Sequence, residues 1–136
     1  MMNKPEISLQ VPAERSYALV LRTTLGGVAI LKDLDAGTLD DLRVACDEAV
    51  DCLLHQGREV SQLEMTAADD GDRLTVSVAA EFASRTGENA EDCQDETEIS
   101  RAVLETLVPF VALHAADCGC ISRIDLTLPK AVRMGA

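Results

Sequence analysis

The tetrapeptide Asp69-Asp70-Gly71-Asp72 stands between two stretches of alternating polar and apolar residues, and no other feature constrains the fold as much. An Asp-Gly step is a strong hairpin signal, because glycine takes up the positive φ that a tight turn between twisted strands requires. Beyond the turn, Leu74, Val76, Val78, Ala80 and Phe82 point one way, while Arg73, Thr75, Ser77 and Glu81 point the other. The pattern predicts paired strands over 59–68 and 73–82. A sheet with one apolar face needs a second layer to cover it.

The flanking segments supply that layer. Tyr17, Leu21, Leu25, Val28 and Leu31 recur near helical spacing, which predicts a first helix over 13–32, weakened in its middle turn by Gly26-Gly27. Asp35-Ala36-Gly37 reads as a turn and Thr38 as an N-cap, with Asp41 at the third helical position. A second helix then runs over 39–56, with Leu39, Leu42, Cys46, Ala49, Val50 and Leu53 as its apolar stripe. Ile99, Val103, Leu107, Phe110, Val111 and His114 predict a third helix over 97–116, kinked or split at Pro109. The acidic stretch 83–95 before it reads as a loop. Ile7, Leu9 and Val11 make a short first strand stopped by Pro12, and Ile124, Leu126 and Leu128 a last one ended by Pro129. The expected fold is α+β: a two-layer sandwich with a mixed, mostly antiparallel sheet of four strands and helices on one face. With 136 residues, enough for one core, 1–136 reads as a single domain.

Charge narrows the function. Against 24 acidic side chains stand 12 basic ones, a formal net charge of −12 that repels phosphate backbones and anionic lipid. Neither nucleic acid nor a membrane is an expected partner. The first ten residues hold no apolar core of signal-peptide length and no longer apolar run exists, so the expected location is cytoplasmic. Cys46, Cys52, Cys93, Cys118 and Cys120 form an odd set, which suits reduced thiols better than a disulfide framework. Cys118-Gly119-Cys120 with His114 four residues upstream is a metal pattern of the weakest kind, since zinc sites usually combine two separated pairs.

Three side chains of the second helix stand out chemically. Glu48, Asp51 and His55 lie at i, i+3 and i+7 and so project from one face beside the apolar stripe. A carboxylate there can accept a proton from an attacking hydroxyl, and an oxygen donor one turn on can hold Mg²⁺ against phosphates. The same residues also suit a plain solvated helix face, with His55 favoured by the dipole at the helix C-terminus.

The element order, and the run Asp41-Leu42-Arg43-Val44-Ala45-Cys46-Asp47-Glu48-Ala49-Val50-Asp51-Cys52-Leu53-Leu54-His55, resemble the anti-sigma-factor serine kinases. These belong to the histidine-kinase-like ATPases, also called the GHKL or Bergerat fold. The family's second helix carries a Glu-Ala pair, an Asn three residues after the Glu, and a His four residues after the Asn. Glu48-Ala49 and His55 stand at those places, with Asp51 where the family has Asn. The resemblance implies Glu48 as general base, Glu48, Asp51 and His55 at a nucleotide site, and Asp51 as a ligand of Mg²⁺ beside ATP. It also implies a homodimer that binds a protein partner, a sigma factor or an antagonist of the anti-sigma factor.

The resemblance is incomplete. The family's Asp-x-Gly-x-Gly segment after the third strand, whose Asp accepts from adenine, has no counterpart in Val76-Ser77-Val78-Ala79-Ala80-Glu81-Phe82-Ala83-Ser84. The glycine-rich turn that opens the third helix and cradles phosphates is replaced by Glu96-Thr97-Glu98-Ile99-Ser100-Arg101-Ala102-Val103. Glu88, Glu91, Asp92, Asp95, Glu96 and Glu98 crowd the same region with negative charge. The expectation is a degenerate, regulatory member that needs no ATP. The alternatives are an active ATP-dependent serine/threonine kinase and a small-ligand binder with only the architecture in common.

Overall fold

The computed structural model describes residues 4–83, 91–117 and 119–130. Its strands are β1 (Ile7–Pro12), β2 (Val60–Asp69), β3 (Arg73–Phe82), β4 (Phe110–Ala115) and β5 (Ile121–Pro129). The helices are α1 (Ala18–Leu31), entered through a 3-10 turn at Arg15–Tyr17, α2 (Ala36–Leu54) and α3 (Glu91–Leu107). The sheet runs in the order β1-β2-β3-β5-β4, and all four pairings are antiparallel. The expected α+β sandwich is present, with five strands rather than four.

Register explains why one face is dry. Leu9, Met65, Val78, Ile124 and Leu113 are successive cross-strand partners, so one apolar row crosses the whole sheet. Ile7, Ala67, Val76, Leu126 and Val111 form the next. Period-two alternation puts both rows on the same side. There they meet Leu42, Cys46, Ala49 and Leu53 of α2, each fully buried. Helix α2 is flanked by α1 on one side and α3 on the other. Burying each such side chain is worth roughly 1.5–3 kcal/mol, and this core uses hardly any aromatic side chains.

The opposite face of the sheet is polar. The Ser77 hydroxyl donates to Asp125 at 2.7 Å, His114 Nε2 lies 2.8 Å from the same carboxylate, and Arg123 pairs with it. The guanidinium of Arg73 lies over the ring of Phe110.

Several boundaries differ from the sequence expectation. Helix α2 starts one turn early: the Asp35 carboxylate, not Thr38, is the cap and accepts from the Thr38 N–H at 2.7 Å. That bond lowers the Asp35 pKa. Residues 91–95, expected in a loop, begin α3, while 84–90 of that loop lie outside the described residues. The largest correction concerns 110–115, expected to continue the third helix. Pro109 has no N–H to donate, α3 stops at Leu107, and Phe110–Ala115 pairs with β5 as an edge strand. His114 accordingly sits on the sheet and not on a helix.

The buried face of α3 is also shifted by one position. Ser100, Leu104 and the following Val108 are buried, whereas Ile99 is 65% exposed. The expected stripe of Ile99, Val103 and Leu107 borders that face rather than forming it.

Candidate functional site

The C-terminal end of α2 and the first described side chains of α3 enclose a cavity of about 320 Å³. Asp51, Cys52, His55 and Gln56 line one side, and Thr97, Ile99 and Ser100 the other. Asp51 and His55 are brought together as their spacing requires. Glu48, half-buried one turn earlier, does not line the cavity.

Both expected residues at the cavity have partners of their own. The Arg15 Nε, carried on the 3-10 turn before α1, contacts the Asp51 carboxylate as an ion pair. The imidazole of His55 turns back on its helix, with Nδ1 2.9 Å from the Asp51 carbonyl oxygen, to which the His55 backbone N–H also donates. One of the carbonyls left over at a helix C-terminus is satisfied in this way. A further ion pair, Arg22 of α1 with Asp47 of α2 at 3.4 Å, lies on the same side of α2.

Gln56 passes unnoticed in the sequence, yet it anchors the cavity floor. It is 5% exposed; its Oε1 accepts from the Ile121 N–H at 2.6 Å and its Nε2 donates to the Ile121 carbonyl at 2.8 Å. The side chain thus completes the ladder of β5 as another strand would, joining the end of α2 to the sheet. The one sequence signal was a lone amide next to the helix-ending Gly57. Ser100 was missed for a different reason: a small polar residue on a buried helix face does not register in a hydrophobic pattern.

Three thiols among the described residues belong to the interior. Cys46, Cys52 and Cys120 are buried and outside any disulfide, and burial, followed by the neighbouring Asp47 charge, pushes the Cys46 thiol up to about 12. Of the weak metal pattern, Cys118 lies outside the described residues, and His114 is engaged with Asp125. Among the described residues no group of three His, Cys, Asp or Glu side chains is arranged to hold a metal ion. Among the same residues no helix is long and apolar enough to cross a membrane.

Chemically the cavity offers hydroxyls, an imidazole and a carboxylate paired with Arg15. No Lys or Arg is among its described lining residues.

An antiparallel sheet with its helices on one face makes the chain an α+β two-layer sandwich, and a solved structure shares that fold. The solved structure of the RsbU and RsbW domains of Rv1364c from Mycobacterium tuberculosis superposes with a TM-score of 0.62 at 18% identity. The match covers 97% of this chain and 35% of that one. No family profile matches the sequence, and no curated protein does.

Proposed function

We propose that this chain is a regulatory module that binds a protein partner in the manner of an anti-sigma factor, with a cavity that does not serve as an ATP site. The observation that carries the reading is the Arg15–Asp51 ion pair. The carboxylate at the position of the family's Asn is already paired with a guanidinium, with which a bound cation would have to compete. Asp51 is the one acidic side chain in the described cavity lining, so a Mg²⁺ held there beside phosphates would have to take its carboxylate from Arg15. The absent glycine segments point the same way, since they remove the adenine acceptor and the backbone donors for phosphate. A lost buried hydrogen bond costs about 1–3 kcal/mol and lost contacts to charged phosphates cost more, so two or three such losses move a micromolar site towards millimolar.

The histidine-kinase-like fold without its chemistry is a scaffold for protein contacts, and scaffold and function are separable. The acidic surface favours a basic segment on the partner, a sigma factor or an anti-sigma antagonist, and that association should weaken as salt rises. Isothermal titration with ATP and Mg²⁺ tests the reading directly, with no heat expected at micromolar nucleotide. A micromolar signal, or phosphate transfer to a partner serine that disappears in Glu48→Ala, would establish the kinase instead.

A further inference from the structure

On the open face of the sheet a single carboxylate stands between an imidazole and a guanidinium. Asp125 and Arg123 lie two residues apart on β5; His114 reaches them from the edge strand β4 and Ser77 from β3. Asp125 Oδ1 accepts from the Ser77 hydroxyl at 2.7 Å, and Oδ2 lies 2.8 Å from His114 Nε2 and 3.4 Å from Arg123 Nη2. That same Nη2 is 3.1 Å from His114 Nε2. Arg123 Nε comes within 3.1 Å of Oδ1 but is not aligned for a hydrogen bond and has no other partner. Among the described residues no further charged side chain pairs with any of the three. Strand β4 carries no other titratable group, and the neighbour of Arg123 on β3 is Ala79.

One nitrogen cannot serve both of its neighbours. Imidazole Nε2 either carries a hydrogen and donates to the carboxylate, or presents a lone pair and accepts from the guanidinium. A lone pair 2.8 Å from a carboxylate oxygen would set two acceptors against each other, so the short contact assigns the hydrogen to Nε2. Arg123 Nη2 then faces a donor at 3.1 Å, and its remaining acceptor is the carboxylate oxygen at 3.4 Å. The guanidinium is held by the charge of Asp125 more than by any well-formed hydrogen bond. A neutral imidazole tolerates that arrangement. An imidazolium does not, because it sets a second positive charge beside the guanidinium while making its own bond to Asp125 charge-assisted. Histidine is the side chain whose ordinary ionisation falls between about pH 5 and 8.

We propose that His114 and Arg123 compete for Asp125, and that protonation of His114 decides the contest. The proton enters at Nδ1, since Nε2 already carries one; the imidazolium keeps the carboxylate, and the guanidinium swings away into the cleft of about 450 Å³ that Arg123 lines on the open sheet face. The other charged groups along that cleft are Glu64, Asp70, Arg73 and Asp125 itself. Acid thus changes the three-residue cluster from neutral to a single positive charge and presents a free guanidinium on a surface that had none to spare. One cation replaces another at the same carboxylate, so overall stability stays nearly level and the exchange is read at the side chains. The inference is independent of what the cavity between α2 and α3 binds.

Nuclear magnetic resonance of the full chain from roughly pH 5 to 8 tests it, over the range in which histidine ordinarily ionises. The chain has two histidines, so His114→Gln assigns the ring signals of His114 against those of His55. At the upper end of the range the imidazole ¹⁵N shifts of His114 are expected to be those of the Nε2–H tautomer. As His114 takes up its proton, the Arg123 Nε–Hε signal should move with the same midpoint towards the position of a free arginine. In His114→Gln that signal should stay still across the range, and in Asp125→Asn it should sit at the released position at every pH. The wild-type titration decides the matter even if a variant fails to fold. An Nδ1–H tautomer, an Arg123 signal that does not move as His114 titrates, or one that moves equally in His114→Gln would each overturn the exchange.

Discussion

Arg15 and Asp51, 36 residues apart in the chain, meet as an ion pair that ties the 3-10 turn before α1 to the last turns of α2. Both groups are partly exposed, at 50% and 38%, and pairs of that exposure contribute about 0–1 kcal/mol. Arg15→Ala is therefore expected to lower stability by less than about 1 kcal/mol in a urea titration. A larger loss would mean that the guanidinium does more than balance Asp51.

The Gln56 amide is buried and pairs with both backbone groups of Ile121. Gln56→Ala should leave a buried N–H and a buried carbonyl unpaired, costing about 1–3 kcal/mol. Gln56→Glu keeps the acceptor but not the donor and places a charge in a buried site, so it should be no milder near neutral pH. Chemical denaturation of the two variants beside the wild type measures both losses, and a Gln56→Ala midpoint equal to the wild type's would refute the clamp.

Val76 lies at the centre of the sheet, fully buried between Ala67 and Leu126. A carboxylate there would meet only apolar side chains from α2 and the neighbouring strands. Val76→Asp is expected to unfold the protein, since the cost of an unpaired buried charge approaches the whole stability of a domain this size. Far-UV circular dichroism and soluble yield report it, and a soluble folded variant would contradict the packing.

Acid should loosen the hairpin end of the sheet. Asp69 accepts from Lys130, from the Gly71 N–H and from Lys32, which together hold its pKa far below the ordinary carboxylate value. Asp35 is lowered by the Thr38 N–H. Groups with depressed folded values contribute stability above their unfolded pKa of about 3.9 and lose it as pH falls through the folded one. Lys32 is raised by Glu6 and then Asp69, so its share is complete below about 10.4 and lost as pH climbs through the raised value. Stability should be flat between those limits and fall below about pH 4, with a shallower acid slope in Asp69→Asn, as urea midpoints across pH will reveal.

Helix α1 tolerates two adjacent glycines for unequal reasons. A Cβ at Gly26 would come within 2.9 Å of the Arg43 guanidinium, whereas nothing lies within 4 Å of one at Gly27. Gly27→Ala should thus stabilise the monomer by about 0.5–1 kcal/mol through helix propensity alone. Melting at low protein concentration measures it; a destabilised variant would show that the position is already crowded.

Local pattern alone determined much of this protein. The Asp-Gly turn and the alternation around it specify β2 and β3, and the stripe from Leu42 to Leu53 specifies the buried side of α2, because period-two and 3.6-residue repeats dictate which side chains can share a face. The spacing of Asp51 and His55 likewise placed them at one end of one helix. Residues 103–114 were another matter. Val103, Leu107, Phe110, Val111 and His114 satisfy the helical period, while Val111 and Leu113 against Ala112 and His114 satisfy the strand period. The choice fell to β5, which offers Phe110–Ala115 a partner for the backbone groups that Pro109 prevents the helix from pairing. The character of the site was decided at the same long range. Nothing near Asp51 in sequence says that its carboxylate meets Arg15, and nothing near Gln56 says that its amide finishes a strand that begins at Ile121. Both contacts exist because α1, α2 and β5 pack on one core, and electrostatic and hydrogen-bonding environments follow distance in space, not distance along the chain.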